Sequence, residues 1–260
     1  MAKCTANEII RIALEEIGYL EKKSNANLDS KTANAGNNNY TKYANLFDSK
    51  YTNFYNGKKN GYPWCDVFVD WCFVKAFGVR DAMKITFQKE LCTGAGCSYS
   101  AQFYKDNNSF KTSPKRGDQI FFYVNGEINH TGIVYSVDKT YVYTIEGNTS
   151  SKEGVIDNGG AVAKKKYKLD NKSIAGYGRP MYGVDDIIWR KAKTTDILNC
   201  RLQANISSKV LTTFSRNQEI YVGEKIFKGS GYSWVKTKRE FNNNGKKVHG
   251  YVCTTYIKYL

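Results

Sequence analysis

The segment of residues 61–78, GYPWCDVFVDWCFVKAFG, places the strongest constraint on how this 260-residue chain can fold. Between Pro63 and Gly78 only three residues are charged, namely Asp66, Asp70 and Lys75. Apolar side chains therefore cover most of the circumference of any helix that the segment forms, and such a helix must be buried. The sequence predicts a central buried helix that ends at Gly78, a residue suited to the position after a helix C-terminus.

Cys65 stands at the very start of this predicted helix. A thiol in the first turn lies near the positive end of the helix dipole and near unpaired N–H groups. Both favour the thiolate, and the N–H groups can also stabilise an oxyanion formed by attack on a carbonyl. The alternative is that Cys65 is a small, inert core residue, which is the commoner fate of a free cysteine.

Helical patterns come first in the chain, and strand patterns follow them. Residues 5–20 have apolar positions at mostly helical spacing, with Thr5 and Glu8 in a capping-box arrangement. A short helix is predicted over 40–47, and an irregular helical region over 81–106. Alternating patterns and turn residues then predict strands over 119–124, 128–137, 141–146, 161–167 and 174–182. This order predicts an α+β fold with an antiparallel sheet.

His130 and Glu146 lie on neighbouring predicted strands. If a two-residue turn joins these strands, His130 lies opposite Gly147, and other loop lengths put it opposite Glu146 or Asn148. Cross-strand neighbours have Cβ atoms only about 5 Å apart, so each register brings a carboxylate or an amide beside the imidazole. Such a group can fix the ring tautomer of a general base. Taken alone, His130 is more simply an ordinary strand histidine with a satisfied hydrogen bond, and it is the combination with Cys65 and Glu146 that indicates a thiol-hydrolase site.

The cysteines give little support to a disulfide framework or a metal site. Seven cysteines are scattered without a C-x-x-C pair, and we expect them to be reduced thiols. The chain has only two histidines, His130 and His249, and no Cys/His cluster has zinc-ligand spacing. Cys92 and Cys97 are the only cysteines close enough in sequence to suggest a metal pair. We expect neither a metal nor a cofactor.

Positive charge is concentrated near the C-terminus. The net charge is +15, and residues 191–260 contribute +9 of it, with 13 Lys and Arg against 4 Asp and Glu. An excess of this kind indicates an anionic partner, either nucleic acid or an anionic bacterial wall. No helix-turn-helix, zinc-finger or RNA-binding pattern accompanies the charge. No stretch approaches the roughly 20 apolar residues of a membrane span, and we expect no stable membrane insertion.

Three sequence blocks carry a resemblance to a known family. PWCDVFVDWC, RGDQIFFY followed by NHTGIVYSV, and YTIEGNTS resemble the motif blocks of the CHAP domain, a cysteine, histidine-dependent amidohydrolase/peptidase module of peptidoglycan hydrolases. The resemblance implies a papain-like fold of the NlpC/P60 type over residues 1–182. It implies Cys65 as nucleophile, His130 as base and then acid, and Glu146 as orienter, with Asn148 as its support or substitute.

The resemblance also bears on calcium, which some CHAP lysins bind in the loop before the nucleophile. In this chain that loop reads NGKKNGYPWC, with lysine and asparagine where carboxylates would be needed. A calcium site of that kind is therefore not expected.

The C-terminal region resembles a second module. Short alternating segments such as ILNCRL, the W-V-K segment and GYVCTTYI resemble a bacterial SH3 (SH3b) domain, a small β-barrel that binds the wall in lysins. We place this domain at 196–260 after a linker at 183–195. The resemblance suggests four wall-binding side chains, Tyr232, Trp234, Tyr251 and Tyr256, each of which could instead serve the barrel core or surface. An internal translation start at Met181 could yield this module alone.

These expectations converge on a peptidoglycan hydrolase that lyses Gram-positive cells, most simply a phage endolysin acting as an amidase or endopeptidase. Without a signal-peptide pattern at its N-terminus, we expect the protein to be made in the host cytoplasm and to reach the wall through a holin-dependent route, as a monomer and without nucleic acid. The alternatives are an autolysin of the host or of a mobile element, and a non-catalytic protein that binds wall or nucleic acid.

Overall fold

The protein consists of two compact units, Met1–Asp185 and Asp186–Leu260. The structure, a computed structural model, describes residues 4–183 and 189–260. The first unit packs helices on an antiparallel sheet, and the described part of the second consists of strands with one short 3₁₀ turn. The predicted α+β fold followed by an all-β region is confirmed. No helix in the described ranges is both long and apolar enough to span a membrane.

Helices occupy the first part of the chain, as the apolar spacing predicts. Those within the described residues are α1 Ala6–Glu15, α2 Lys42–Ser49, α3 Cys65–Thr86 and α4 Cys97–Asp106. Thr5 caps α1 as predicted, because its hydroxyl accepts a hydrogen bond from the Glu8 N–H. Thr41 caps α2 in the same way through the Ala44 N–H. These caps satisfy donors that would otherwise be unpaired at the helix start.

The first regular segment of the central helix ends at Gly78, as predicted. Gly78 has φ 75° and ψ 162°, which breaks the regular helix, but helical turns resume and α3 continues to Thr86. The positive φ is tolerated because glycine has no Cβ. The second part of α3 is retained because Ala82 and Ile85 are buried in the core. α3 is therefore two helical segments joined at Gly78, and the second overlaps the helical region predicted to begin at residue 81.

The sheet of the first unit has six antiparallel strands in the order β1-β6-β2-β3-β4-β5. Their bounds are β1 Phe110–Lys111, β2 Gln119–Val124, β3 Glu127–Val137, β4 Tyr141–Thr149, β5 Ala161–Lys168 and β6 Ile174–Gly178. Asn125 and Gly126 both have positive φ in the β2–β3 turn, as predicted for an Asn-Gly hairpin. The five predicted strands are therefore confirmed in order, while the last of them ends at Gly178 instead of residue 182 and the short β1 was not predicted.

The core of the first unit lies between α3 and the sheet. Aromatic rings surround the helix, with Tyr43 packing against Trp64, Phe68 and Trp71 at centroid distances of 5.0–5.4 Å. Trp64 donates its indole N–H to Glu21 Oε2 at 2.9 Å, so the segment after α1 is attached to the residue just before Cys65. These contacts fix the start of α3, the position that the site needs.

The second unit is an antiparallel sheet in the order β14-β7-β10-β12-β13-β8-β9, with β11 paired to β12. Its strands are β7 Trp189–Thr194, β8 Leu198–Arg201, β9 Val210–Phe214, β10 Glu219–Gly223, β11 Phe227–Gly229, β12 Tyr232–Asn243, β13 Lys246–Cys253 and β14 Ile257–Tyr259.

The predicted linker at 183–195 requires a correction. Residues 189–194 form β7, which pairs with both β10 and β14, while 184–188 lie outside the described residues. The strand forms because Ala192 and Thr194 are buried. The second unit accordingly begins before residue 196.

Candidate active site

Cys65 is the first residue of α3 and its side chain is 6 % exposed. The N-cap residue, Trp64, makes no side-chain capping bond, so the N–H groups of the first turn are not occupied by a cap. The Asp66 N–H interacts with the Cys65 sulfur and favours its charged form. The helix start therefore supplies both a partial positive charge and hydrogen-bond donors next to the thiol, as the sequence predicted.

His130 and Glu146 form a fully buried pair across β3 and β4. The imidazole Nε2–H donates to Glu146 Oε2 at 2.9 Å, and neither side chain is exposed to solvent. The connection between the strands is longer than a two-residue turn, since Val137 pairs with Val142. Glu146 reaches the ring because a glycine, Gly132, lies beside it on β3. A Cβ at 132 would stand 2.4 Å from Glu146 Cγ.

Two further hydroxyl groups hold Glu146 in place. Thr144, two residues earlier on the same face of β4, donates to Oε1, and Tyr167 on β5 donates to Oε2 at 3.1 Å. With His130, three donors thus converge on one buried carboxylate, which compensates for its removal from water. Sequence reasoning did not identify Thr144 or Tyr167, although the i, i+2 spacing of Thr144 and Glu146 was a visible clue.

The charges of the site favour an imidazolium–thiolate pair. The pKa of Cys65 is well below its usual value, chiefly through a hydrogen bond from Cys97, then through His130, against the opposing effect of burial. Burial lowers the pKa of His130, but the hydrogen bonds and charges of Cys65 and Glu146 outweigh it and raise that pKa to about 10. At neutral pH the site therefore holds an activated nucleophile and a protonated base.

The second ring nitrogen of His130 is the one left for the thiolate. Nε2 is taken by Glu146, while Nδ1 is buried and makes no hydrogen bond of standard geometry within the described residues. The Cys65 sulfur is near enough to act on the pKa of the ring. Hydrogen bonds of this kind are often loose without substrate and tighten when it binds. The ring thus stands between the thiol and the carboxylate.

Asn148 does not contact the imidazole through a hydrogen bond in this structure. It is the last residue but one of β4 and has a left-handed conformation, φ 54°, and its Oδ1 accepts from the Gly160 N–H at 3.3 Å. Its Nδ2 is buried and has no hydrogen-bond partner within the described residues. The orienting position on His130 is occupied by Glu146, so Asn148 is left as a support of the loop that follows β4.

A buried hydrogen-bond network connects the elements that carry the site. Asp66 accepts from Ser100 of α4 at 2.9 Å and from Gln119 of β2 at 3.1 Å. Gln119 also donates to Thr131, the neighbour of His130 on β3, at 3.1 Å. The network thereby ties the residue after Cys65 to the residue after His130. Burial raises the pKa of Asp66 well above its usual value, and the nearby Asp70 adds to this.

Cys97 is a further residue beside Cys65 that sequence reasoning did not place there. It was weighed only with Cys92 as a metal pair, yet its sulfur lies 3.6 Å from the Cys65 sulfur. All cysteines within the described residues are free thiols. Among these residues no group of three or more His, Cys, Asp or Glu side chains could hold a metal ion. The contact depends on how α4 packs against α3, which spacing in the sequence does not reveal.

The four predicted wall-binding side chains separate into two places in the second unit. Tyr232 and Tyr256, 44 % and 42 % exposed, line a cavity of about 260 Å³ together with Arg201 and an edge of Trp234. Trp234 is otherwise a core residue, 3 % exposed, whose indole N–H donates to the Gly229 carbonyl. Tyr251 does not line this cavity and packs against Phe227 instead.

One family model matches part of the chain. Residues 57–148 match the family model of the CHAP domain, a range that contains Cys65, His130, Glu146 and Asn148. No curated protein matches the chain.

Solved structures show only weak similarity. A structure titled "The crystal structure of Ly7917" is 15% identical, with 96% of this chain and 92% of that chain covered and a TM-score of 0.40. The same protein "with the hydrolyzing product of MDP" gives 14% identity, 98% coverage of both chains and a TM-score of 0.40. A third, NlpC2 from Trichomonas vaginalis, is 8% identical, with 58% of this chain and 47% of that chain covered and a TM-score of 0.21. At these values the structural similarity assigns neither fold nor function.

Proposed function

We propose that this protein is a cysteine-dependent peptidoglycan hydrolase that cleaves an amide bond of the bacterial cell wall. The observation that carries the proposal is the buried triad of a helix-start cysteine, a histidine and a carboxylate, with Nε2 of His130 on Glu146 at 2.9 Å and Cys65 beside the ring. The match of residues 57–148 to the CHAP domain supports the same chemistry. A non-catalytic binding protein would have no need of an activated thiolate.

The geometry supports a two-step acyl transfer. The Cys65 thiolate attacks the amide carbon, and the resulting oxyanion is stabilised by N–H groups at the start of α3. His130 gives its proton to the leaving amine, which departs and leaves a thioester on Cys65. Neutral His130 then takes a proton from water as that water attacks the thioester, and the thiolate is released with the carboxylic acid product. Glu146 keeps the ring oriented and stabilises its charge throughout.

The direct test is digestion of purified Gram-positive walls followed by mass spectrometry of the fragments. A free lactyl carboxylate on the sugar together with stem peptides that begin at L-alanine indicates a muramoyl-alanine amidase, and a new N-terminus within the stem peptide or cross-bridge indicates an endopeptidase. We expect Cys65→Ser to fold normally and to lose activity by about 10³-fold or more, as when a nucleophile is deleted. Wall digestion by folded Cys65→Ser at a rate near that of the wild type would refute the proposal.

We further infer that the natural role is that of a phage endolysin, with the second unit binding the wall. The cavity beside Tyr232 and Tyr256 and the +9 charge of residues 191–260 support a basic, partly aromatic surface for an anionic envelope. In that role the partner is Gram-positive peptidoglycan, reached from the host cytoplasm through a holin-dependent route. Protein added to a suspension of Gram-positive cells should then lower its turbidity. If the protein digests purified walls but leaves the turbidity of cell suspensions unchanged, lysis is not its role.

A further inference from the structure

Cys97 and Cys65 are arranged as a pair. Each is the first residue of its helix, α4 and α3 respectively, and the two sulfur atoms are 3.6 Å apart. This distance is within reach of an S–H···S hydrogen bond but far longer than the bond of about 2.05 Å in a disulfide. Cys97 is 3 % exposed, so water does not compete for its thiol. The two helix starts therefore meet at a buried pair of thiols.

Only one of these thiols is suited to carry the negative charge. Cys65 has His130 and the Asp66 N–H as additional favourable neighbours. Cys97 instead has the Cys65 sulfur, buried surroundings and the Asp66 carboxylate, all of which raise its pKa well above the usual value. The proton thus stays on Cys97 and points to the charge on Cys65. This assigns donor and acceptor within the pair.

The surroundings of Cys97 favour this direction of donation. The buried side chains that form a core cluster with the two cysteines are Ala101, Tyr104 and Phe121, of which only Tyr104 carries a polar atom. Ser100, on the same helix, is already committed to Asp66 at 2.9 Å. The same network fixes α4 against α3 and so sets the distance between the sulfurs. Cys97 is held in its position by a polar connection and not only by apolar packing.

We propose that Cys97 belongs to the active site, where its S–H donates a hydrogen bond to the Cys65 thiolate and stabilises that thiolate between catalytic cycles. The role rests on the proposed function, because it concerns the same nucleophile. During attack the bond weakens as the charge leaves the sulfur, and it reforms when the thioester is hydrolysed. The alternative is that Cys97 merely fills space beside Cys65.

The test measures the ionisation of Cys65 directly and needs no wall substrate. Full-length protein, reduced with a phosphine that is then removed under nitrogen, is alkylated with iodoacetamide over a pH series, and modification of the Cys65 peptide is quantified by mass spectrometry. The variants are Cys97→Ala, which lacks a donor, and Cys97→Ser, which keeps one. The matched control is Cys92→Ala, the same change at an exposed cysteine five residues earlier.

We expect Cys97→Ala to slow alkylation of Cys65 about tenfold at pH values below the pKa of the wild-type thiol, a shift of about one pKa unit, and to change it little at pH values where the thiol is ionised in both proteins. Cys97→Ser should largely restore the wild-type profile, because a hydroxyl also donates. Cys92→Ala should leave the profile unchanged. If Cys97→Ala does not fold, Cys97→Val, which fills the space without donating, takes its place.

Two outcomes would overturn the proposal. The first is that the alkylation profile of Cys65 is the same in folded Cys97→Ala as in the wild type, which would mean that Cys97 is only a packing residue. Equal shifts in Cys97→Ala and Cys97→Ser would show that the loss of volume, and not of the donor, changes Cys65. Failure of the proposed function is a separate result, since it would appear as absence of wall digestion by the wild-type protein whatever the alkylation profile.

Discussion

His130 must remain protonated until it donates its proton to the leaving amine. Its environment sets the pH range in which the imidazole stays protonated. Its pKa is raised to about 10 by Cys65 and Glu146 in spite of burial. A raised pKa means that the protonated form is favoured at neutral pH and is lost as the pH rises through about 10. We therefore expect kcat/KM for wall fragments to stay level through neutral pH and to fall above about pH 10. A fall that begins near pH 6.5 would contradict this charge state.

Replacing Glu146 should change the pH profile as well as the rate. Glu146→Gln removes a negative charge that raises the pKa of His130, so the alkaline fall should move to lower pH. The amide can still accept from the ring, and we expect a smaller loss of kcat than the roughly 10³-fold loss in His130→Ala. Rates over a pH series for both variants check this. A larger loss in Glu146→Gln would mean that the two roles are assigned wrongly.

Asp70 gives a prediction on stability. It is buried on α3 and accepts from the Tyr55 hydroxyl at 2.7 Å, and burial raises its pKa to about 7. Because an acid with a raised pKa binds its proton more tightly when folded, its contribution to stability is greatest at low pH and is lost as the pH rises from about 4 to 7. Asp70→Asn should therefore raise the free energy of unfolding at pH 8, and this increase should become smaller as the pH is lowered toward 4.

Urea unfolding at several pH values measures this effect. Tyr55→Phe is the matched control, since it removes the hydrogen bond that favours the charged carboxylate and should destabilise the protein mainly at high pH. If the increase in the free energy of unfolding for Asp70→Asn does not vary with pH, packing and not ionisation is responsible for it.

At the scale of elements, the site depends on how closely β3 and β4 approach each other. A Cβ at Gly132 would lie 2.4 Å from Glu146 Cγ and 2.9 Å from the Ile145 carbonyl oxygen, and the backbone atom cannot move away easily. Gly132→Ala should displace Glu146 from His130 and lower kcat by about 10²-fold. In Gly183→Ala, the control, the added carbon meets nothing within 4 Å. Equal activity of the two variants would contradict this role of Gly132.

Element order and the triad could be predicted from sequence because they depend on local pattern. Cys65 is marked by the start of an apolar helix, and His130 and Glu146 by their positions on adjacent strands. Cys97 and Tyr167 could not be found in this way, since their contacts depend on where α4 and β5 pack. The break at Gly78 was predictable from local conformation, because its positive φ suits glycine. Gly132 was recognisable only once its cross-strand neighbour was known.

At the scale of the whole molecule, binding and catalysis should be separable by substitution. Tyr232→Ala and Tyr256→Ala in the full chain should weaken binding to purified walls about tenfold at high salt, where the attraction of the +9 charge is screened. Hydrolysis of soluble fragments should be unaffected. Tyr259→Ala, a tyrosine 45 % exposed that does not line the cavity, is the control. Equal binding by all three variants over a salt series would exclude the cavity as the wall-binding surface.

The position of β7 determines where the second unit can be cut. This strand, Trp189–Thr194, lies between β10 and β14 and hydrogen-bonds to both. A fragment that begins at residue 196, the boundary suggested by the sequence, would leave two strand edges without partners. Open edges of this kind recruit strands from other molecules. Such a fragment would be expected to self-associate, so a soluble targeting tag made from this unit has to begin ahead of Trp189.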